Sequence, residues 1–320
     1  MKTIAVLGAT GTQGGGLVRA ILADPEREFA VRAVTRDPGG AKAQELAAAG
    51  AEVVAADLDD EGSLRAAFDG VYGAFVVTNF FAPRSEAEIA ARSAAEMELE
   101  QAGNAARAAR DAGVQHVIWS TLEDTRTFFG DTDRVPSLDD GRYKVPHFDA
   151  KAEGDELFRA AGVPTTFLRT TYYYENLIGP LGPVRDADGK LVVTLPMGDS
   201  TINAIAVEDI GRTALGVFRR GQEYVGRVIS IAGDQLTGQQ LVDALSDAFG
   251  EPVRYEPHSW EAFRSFGFPG ADEFANMFQY YAENAEDFTK ARDLEVVRSL
   301  NPQLQSFRDW LQVHHADFTR

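Results

Sequence analysis

Three glycines, Gly8, Gly11 and Gly14, recur every third residue, directly after the apolar run at residues 4–7 and at the start of a helical pattern. In such a loop one glycine permits a tight turn out of the strand, one lets a diphosphate approach the backbone, and one lets the helix pack close to the strand. Free N–H groups and the dipole at a helix N-terminus favour negative charge. The spacing therefore predicts a dinucleotide-binding loop, and a glycine turn that binds nothing is the alternative.

Arg36 stands at the end of the second predicted strand, about 20 residues beyond the glycines. A carboxylate at this position typically holds the ribose 2′-hydroxyl of NAD, whereas a guanidinium can hold the 2′-phosphate of NADP in a fork. Arg36 therefore favours NADP(H), unless it is a solvated surface arginine. Asp57, at the end of the third predicted strand, is a candidate acceptor for the adenine amino group, although a carboxylate that caps a loop has the same appearance in sequence.

The elements that must position these residues alternate regularly in the first half of the chain. Short apolar runs predict strands, and apolar residues at helical spacing predict helices between them, including one over residues 85–112 and one over about 147–161. Strands separated by helices pair in parallel, with helices on both faces of the sheet. The predicted fold is therefore α/β, a Rossmann-type doubly wound parallel sheet. The predicted strands cover residues 4–7, 29–35, 51–57, 71–78, 114–120 and 163–169.

The pattern becomes irregular after residue 170. An aromatic stretch with several prolines and glycines precedes a lone predicted strand within residues 190–200, and the remainder is largely helical. We expect an NAD(P)-binding Rossmann core over residues 1–170 and a smaller, mostly helical substrate or partner lobe over residues 171–320. The lobe is expected to be discontinuous, with about residues 205–232 returning to the core. Ligands of such folds bind at the carboxyl ends of the strands.

The composition narrows the class of protein. The 320 residues carry a net charge of −18, so binding of nucleic acid through a broad basic face is not expected. The absence of cysteine excludes a thiol nucleophile and a zinc–thiolate site. No metal site is predicted, because His314 and His315 have no further ligand at metal-site spacing. No run of about 20 apolar residues indicates a membrane span, and a cytoplasmic location away from membranes is expected.

Segments along nearly the whole chain resemble the NmrA-like family of atypical short-chain dehydrogenase/reductases. GATGTQGG and VTRDP are similar to the family's cofactor-binding end, and FGFPGADEFANMF separates this group from generic Rossmann proteins. The resemblance is greatest to the redox-sensor branch of the family, whose members bind NADP(H) and regulate partner proteins. Further matching segments are GAEVVAADLDD, VVTNFF, VIWSTLED, HFDAK, GVPTTFLRTTYYYENL and LPMGD.

This resemblance implies that NADP(H) is the cofactor and indicates which residues contact it. It implies that a second-half segment containing Tyr172, Tyr174 and Asn176 lies beside the nicotinamide. Together with Gly8 of the loop, the cofactor contacts that it implies elsewhere are Thr10, Gly11, Thr12, Gln13, Gly14, Arg36, Asp57, Leu58, Thr78, Asn79 and Lys151.

The resemblance also raises the question of catalysis. Classical members of the superfamily use a Tyr-x-x-x-Lys helix, in which the tyrosine exchanges a proton with the substrate and the lysine binds the nicotinamide ribose and lowers the tyrosine pKa. Here Lys151 is in place, and Ser120 at the end of the fifth strand is available to position a carbonyl, but His147 stands where the tyrosine would be. A histidine can exchange protons near neutral pH. His147 is therefore either catalytic, with Ser120 and Lys151, or structural, and a tyrosine among residues 172–174 is the alternative proton donor.

Two functions agree with a complete cofactor site beside an incomplete proton-transfer site. The first is an NADP(H)-binding, redox- or cofactor-responsive regulator of a partner protein, with weak or no dehydrogenase activity. The second is an NADPH-dependent reductase of a small carbonyl, quinone or imine substrate. The sequence favours the first slightly and leaves open whether the chain is an enzyme. Either function is compatible with a homodimer.

Overall fold

The computed structural model describes residues 1–131 and 133–318. Its strands, in chain order, are β1 (Lys2–Val6), β2 (Phe29–Thr35), β3 (Glu52–Ala55), β4 (Gly73–Val76), β5 (His116–Thr121), β6 (Thr165–Arg169), β7 (Tyr172–Tyr173), β8 (Val184–Arg185), β9 (Leu191–Val193), β10 (Ile202–Ile205), β11 (Val228–Ser230), β12 (Asp234–Leu236) and β13 (Val253–Tyr255).

The α-helices of the described residues are α1 (Thr12–Leu22), α2 (Ala41–Ala48), α3 (Glu61–Phe68), α4 (Glu86–Ala91), α5 (Ala94–Asp111), α6 (Arg126–Phe129), α7 (Pro146–Ala161), α8 (Val207–Arg220), α9 (Gly238–Phe249), α10 (Trp260–Ser265), α11 (Ala271–Glu283), α12 (Ala285–Lys290), α13 (Leu294–Leu300) and α14 (Phe307–His314). Short 3₁₀ helices cover Tyr174–Leu177, Gly221–Glu223 and His315–Asp317. No helix in the described part of the chain is both long enough and apolar enough to cross a membrane.

Contacts between residues group the chain into two compact units. The first unit contains Met1–Asp124, His147–Arg169 and Glu208–Ile229. The second contains Thr125–Pro146, Thr170–Val207 and the described residues from Ser230 onward. Each unit is therefore assembled from three separate stretches of sequence.

The first unit is built on a seven-stranded sheet with the strand order β11-β6-β5-β4-β1-β2-β3. Strand β1 pairs in parallel with both β2 and β4, and the pairs β2–β3, β4–β5 and β5–β6 are parallel as well. The chain winds outward from β1 to β3 and then returns to place β4 on the other side of β1. The predicted Rossmann-type α/β fold is confirmed, and the reversal at β1 and β4 marks the edge where doubly wound folds bind ligands.

The core of the first unit lies on both faces of this sheet. Ile4 and Val6 of β1 are fully buried, as expected for a central parallel strand covered by helices. On the face covered by α5, Trp119 stacks on Phe158 with 5.0 Å between ring centroids, and alanines of α5 fill the space beside them. Small side chains on α5 let this helix lie close to the sheet, which brings its polar residues near the strand ends.

The helix predicted over residues 85–112 is wrong as a single element, because the chain forms α4 and α5 instead. Ser85 and Ser93 each accept a hydrogen bond from the N–H of the glutamate three residues later, and that glutamate accepts one from the serine N–H. Each arrangement is a capping box, which starts a helix. The second box begins α5 afresh, so the repeated S-x-x-E spacing explains the interruption.

The second unit contains two small sheets, with the orders β12-β10-β7 and β13-β9-β8, and helices α9–α14 make its C-terminal part helical. The strand expected to stand alone within residues 190–200 is β9, and it is not alone. It pairs antiparallel with β8 and parallel with β13. The sequence does not predict β8 and β13, because strands of two or three residues are too short to show an alternating pattern.

Candidate functional site

The loop between β1 and α1 leaves little room for side chains. Gly8 has a φ of +62°, in the left-handed region that favours glycine, and its carbonyl accepts a hydrogen bond of 2.8 Å from the N–H of Gly11. A Cβ on Gly14 would lie 2.7 Å from the carbonyl oxygen of Leu7 and closer still to that of Gly8. The start of α1 has no side-chain cap, and the N–H groups of a first helical turn can bind an anion. The shape of the loop is therefore suited to binding a diphosphate.

A second contact ties this loop to a neighbouring part of the sheet. The Ser120 hydroxyl, near the end of β5, donates a hydrogen bond of 2.8 Å to Oε1 of Gln13 on α1. Gln13 and Thr10 are half-buried, and Thr12 is exposed. The candidate catalytic serine and the glycine loop thus meet, although 107 residues separate Ser120 from Gln13.

Arg36 is exposed and follows the last residue of β2 directly. The neighbouring carboxylate of Asp37 is engaged in its own turn, where Oδ1 accepts a hydrogen bond of 3.1 Å from the N–H of Gly39. At the carboxyl end of β2, a guanidinium is therefore presented beside a carboxylate that is held within its own loop. Such a group can bind a phosphate in a two-pronged contact.

Asp57 and Leu58 lie just past β3 and are both half-buried. Strand β3 ends at Ala55, so Asp57 lies two residues beyond the strand and not at its end as predicted. Its Oδ1 accepts a hydrogen bond of 3.0 Å from the N–H of Asp59, and the Leu58 carbonyl accepts one of 2.9 Å from Asn104 on α5. Asp57 thus closes this loop through Oδ1, and its other carboxylate oxygen lies outside that hydrogen bond.

His147 lies in the first turn of α7 and is 7% exposed. Its ring lies 5.9 Å from the ring of Phe80, 5.1 Å from that of Phe81 and 4.9 Å from that of Phe148, measured between centroids. The imidazole is therefore packed in an aromatic cluster at the carboxyl end of β4. This surrounding supports the structural interpretation of His147.

Lys151, one turn further along α7, is held by two residues of the same unit. Its Nζ donates hydrogen bonds of 2.7 Å to Oγ1 of Thr78 and 2.7 Å to Oε1 of Glu98, with a longer contact of 3.4 Å to the Thr78 carbonyl. The Thr78 hydroxyl also donates to Glu98. Asn79, the next residue of this strand end, is exposed. The structure therefore brings together Thr78 and Lys151, both expected at the cofactor, and adds a carboxylate.

Sequence analysis missed Glu98. It lies on α5 and is completely buried, at helical spacing from the buried alanines Ala95 and Ala102. An acidic residue on the apolar face of a helix is unusual, because a buried carboxylate needs a partner. The position of Glu98 on the apolar face of α5 is the signal that the sequence offers, and it indicates a buried cation nearby.

Electrostatics around α7 also involve Asp155, one turn beyond Lys151. Its Oδ1 accepts a hydrogen bond of 3.0 Å from Nε1 of Trp119, and burial raises the pKa of Asp155 to about 6. Thr121, the last residue of β5, donates a hydrogen bond of 3.1 Å to the carbonyl of Lys151. These contacts fix α7 against the carboxyl end of β5, and with it the candidate residues on both elements.

The three candidates from the second half of the chain lie in the second unit. Tyr172 is buried, its hydroxyl has no hydrogen-bond partner among the described residues, and burial raises its pKa. Tyr174 is 1% exposed and packs on the rings of Phe307 and Trp310 at 5.1 Å and 5.5 Å. Asn176 is exposed. Tyr174 is thus a core residue of its own unit, whereas Tyr172 retains an unused hydroxyl.

The terminal histidines make local contacts. Nδ1 of His314 lies 2.9 Å from Oδ2 of Asp317, and Nδ1 of His315 lies 3.1 Å from the carbonyl of Leu311. Within residues 1–131 and 133–318, no group of three or more histidine, cysteine, aspartate or glutamate side chains is arranged to hold a metal ion.

The chain is similar to known proteins in sequence and in fold. The model of the NmrA-like family matches residues 1–311. Among curated proteins, the NmrA-like family domain-containing oxidoreductase hkm9 of Aspergillus hancockii is 31% identical over 289 residues, which cover 87% of this chain and 82% of that relative.

Solved structures extend the likeness to the whole fold. NmrA, a negative transcriptional regulator, in complex with NADP has a TM-score of 0.75 at 22% identity, covering 98% of this chain and 94% of that one. Triphenylmethane reductase of Citrobacter sp., complexed with NADP(H), has a TM-score of 0.70 at 20% identity, covering 98% and 99%. At these identities the likeness establishes a common fold.

Proposed function

The chain belongs to the NmrA-like family, and from this premise we propose that its first unit binds NADP(H) at the loop between β1 and α1. The observation that carries the proposal is the close packing of Gly14 against the carbonyl oxygens of Leu7 and Gly8, which leaves a cradle that a Cβ would fill. A cradle of this kind before a helix N-terminus suits a diphosphate.

We assign the remaining candidate residues to different parts of the dinucleotide. Thr10, Gly11, Thr12 and Gln13 belong to the phosphate end, Asp57 and Leu58 to the adenine, and Thr78, Asn79 and Lys151 to the nicotinamide ribose. We assign the 2′-phosphate to Arg36, because its guanidinium is exposed at the carboxyl end of β2. This local positive charge must act against a net charge of −18, which repels polyanions in general. Tyr172, Tyr174 and Asn176 remain proposed neighbours of the nicotinamide on the family resemblance.

For the consequence of binding, we favour a cofactor-responsive regulator with weak or no dehydrogenase activity. A classical proton relay needs an acid whose pKa is lowered by a nearby lysine. Here the ammonium of Lys151 is already compensated by Glu98, and His147 is packed among phenylalanine rings. The residues in place can therefore bind the nucleotide better than they can move a proton. NmrA, which shares the fold, is a negative transcriptional regulator.

A reductase of a small carbonyl, quinone or imine is the second candidate, and Ser120 favours it. The Ser120 hydroxyl lies at the carboxyl end of β5, hydrogen-bonded to Gln13 of the glycine loop, where it can exchange that bond for a substrate oxygen. The bound cofactor would supply a hydride. Curated relatives such as hkm9 are named oxidoreductases, and triphenylmethane reductase has the same fold.

One experiment tests both the binding of the cofactor and the choice between regulator and reductase. NADPH is titrated by calorimetry, and the loss of its dihydronicotinamide absorbance is then followed with a panel of carbonyls, quinones and imines. Saturable binding without turnover is the result expected for the regulator. Turnover at ordinary enzymatic rates, about 1 s⁻¹ or more, would contradict the regulator proposal and support the reductase. Failure to bind either NADPH or NADH would overturn the proposal as a whole.

A further inference from the structure

Glu98 is an unusual residue to find inside α5. Its side chain is completely buried, and the positions one turn before and after it, Ala95 and Ala102, are small apolar residues. One carboxylate oxygen, Oε1, accepts from both Lys151 and Thr78, while Oε2 is buried without a hydrogen-bond partner among the described residues. An incompletely satisfied carboxylate destabilises a core, so packing alone does not account for Glu98.

The geometry around Lys151 indicates what Glu98 does. The ammonium has three N–H donors. Glu98 and Oγ1 of Thr78 accept at 2.7 Å, whereas the contact to the Thr78 carbonyl is longer, at 3.4 Å, so one donor is only weakly engaged. A lysine side chain is otherwise long and flexible. The carboxylate therefore supplies a fixed direction for the side chain and a counter-charge for the buried ammonium.

We propose that Glu98 is a positioning residue, which holds the ammonium of Lys151 in place for the ribose of the nicotinamide nucleotide. The inference deepens the proposed function and rests on it. Glu98 acts through Lys151 and is not itself placed in contact with the cofactor. The pair joins α5 to α7, and Thr78 links it to the segment that follows β4, so the ribose end of the proposed site is preformed.

The other groups around Lys151 do not replace this role. On α7, His147 precedes it by one turn and packs on Phe80 and Phe81, and Asp155 follows it by one turn and accepts from the indole of Trp119. From β5, the ring of Trp119 lies 5.3 Å from Nζ and carries no charge. Beyond β4, Thr78 is neutral. Among the described residues, Glu98 on α5 is the carboxylate in ion-pair contact with this ammonium.

The test compares Glu98→Gln with Glu100→Gln, a matched control that removes the same charge from an exposed position of α5. NADPH affinity is measured by calorimetry at about pH 7. We expect Glu98→Gln to bind about tenfold more weakly than the control. Wild type and control should bind NADPH equally well.

Two further variants test whether Glu98 acts through Lys151 and provide an alternative if Glu98→Gln does not fold. Lys151→Met removes the partner, so adding Glu98→Gln to it should cost no further NADPH affinity. If Glu98→Gln does not fold, Glu98→Asp keeps the charge but shortens the reach. It should bind NADPH more weakly than wild type and cost no further affinity in the Lys151→Met background. Either variant pair thus reports on the contact with Lys151.

The outcomes separate the two proposals. If wild type binds NADPH but Glu98→Gln matches Glu100→Gln, the positioning role is overturned and the proposed function stands. A loss of affinity that persists in the Lys151→Met background would likewise overturn it, since Glu98 would not act through Lys151. If wild type does not bind NADPH, the proposed function and this inference fall together.

Discussion

Trp119 on β5 and Asp155 on α7 are joined by a hydrogen bond of 3.0 Å from the indole Nε1 to Oδ1, and the Asp155 side chain is almost completely buried. Burial disfavours the charged carboxylate and raises the pKa of Asp155 to about 6 from an ordinary value of 3.8. The folded chain therefore binds a proton here that the unfolded chain has already lost at the same pH. The contribution of Asp155 to stability is present in full below the ordinary pKa and is lost as the pH rises through about 6.

Asp155→Asn should remove this pH dependence and keep an acceptor for Trp119. We expect the unfolding free energy of wild type, relative to the variant, to fall by about 2 kcal/mol between about pH 4.5 and about pH 7.5. Urea unfolding at both pH values measures it. Glu156→Gln, on the exposed side of the same helix, is the control and should show no comparable change. A constant difference between wild type and Asp155→Asn would show that Asp155 does not titrate in this range.

Gly14→Ala should disable the glycine loop, because the new Cβ would meet backbone oxygen atoms of Gly8 and Leu7 that cannot give way without moving the turn. NADPH affinity should fall by about tenfold or more, measured by calorimetry. Gly103→Ala on α5 is the matched control, since its Cβ would meet mainly the flexible guanidinium of Arg107. That variant should bind NADPH normally. Normal binding by Gly14→Ala would remove the loop from the site.

Arg36→Ala should distinguish the two dinucleotides. The cofactors differ in the 2′-phosphate, so losing the guanidinium should weaken NADPH binding by about 10- to 100-fold and leave NADH binding nearly unchanged. The preference of wild type for NADPH should shrink as salt rises, because exposed charges are screened. Arg298→Ala removes the same charge from an exposed position of α13 and should leave the preference intact. Equal affinities of wild type for NADPH and NADH at low salt would refute the assignment.

His147 separates a packing role from a catalytic one. His147→Ala removes a ring that contacts Phe80, Phe81 and Phe148, so it should lower the unfolding free energy by about 1–2 kcal/mol. His147→Phe keeps a ring but cannot exchange a proton, and it should recover most of that stability. NADPH affinity should stay close to that of wild type in both. If a turnover is detected and both variants abolish it equally, His147 is catalytic.

The sheet and the glycine loop could be predicted because their signals are local. Apolar runs identified the strands, and the alternation of strands with helices specified parallel pairing. Residues 4–7 followed by the spaced glycines combine a buried strand with a loop that leaves little room for side chains at its glycine positions. The conformation of Gly8 and the packing of Gly14 agree with that combination. Ser93 carried an equally local signal, a second capping box, which the long alanine-rich pattern obscured.

The contacts between distant segments could not be predicted in the same way. Periodicity indicates that one face of α5 is buried, but not what lies opposite it, so Lys151 was expected to meet the cofactor while Glu98 went unnoticed. The bond between Ser120 and Gln13 likewise depends on how β5 and α1 meet. The aromatic run at residues 172–174 illustrates the same limit, because a tyrosine in a core, such as Tyr174, looks like a tyrosine in a binding site.

The discontinuity of the first unit affects how the chain can fold during synthesis. Strand β11 is the edge strand beside β6, and Gly211 on α8 packs so closely on α1 that a Cβ there would lie 2.8 Å from the carbonyl oxygen of Gly16. Nearly all of both elements lies in Glu208–Ile229, which the ribosome makes after two stretches of the second unit, Thr125–Pro146 and Thr170–Val207. A nascent chain that ends before this stretch holds β6 as an open edge and α1 uncovered, a state prone to aggregation. The first unit therefore matures late, and a fragment that stops after β6 should emerge as a client for chaperones.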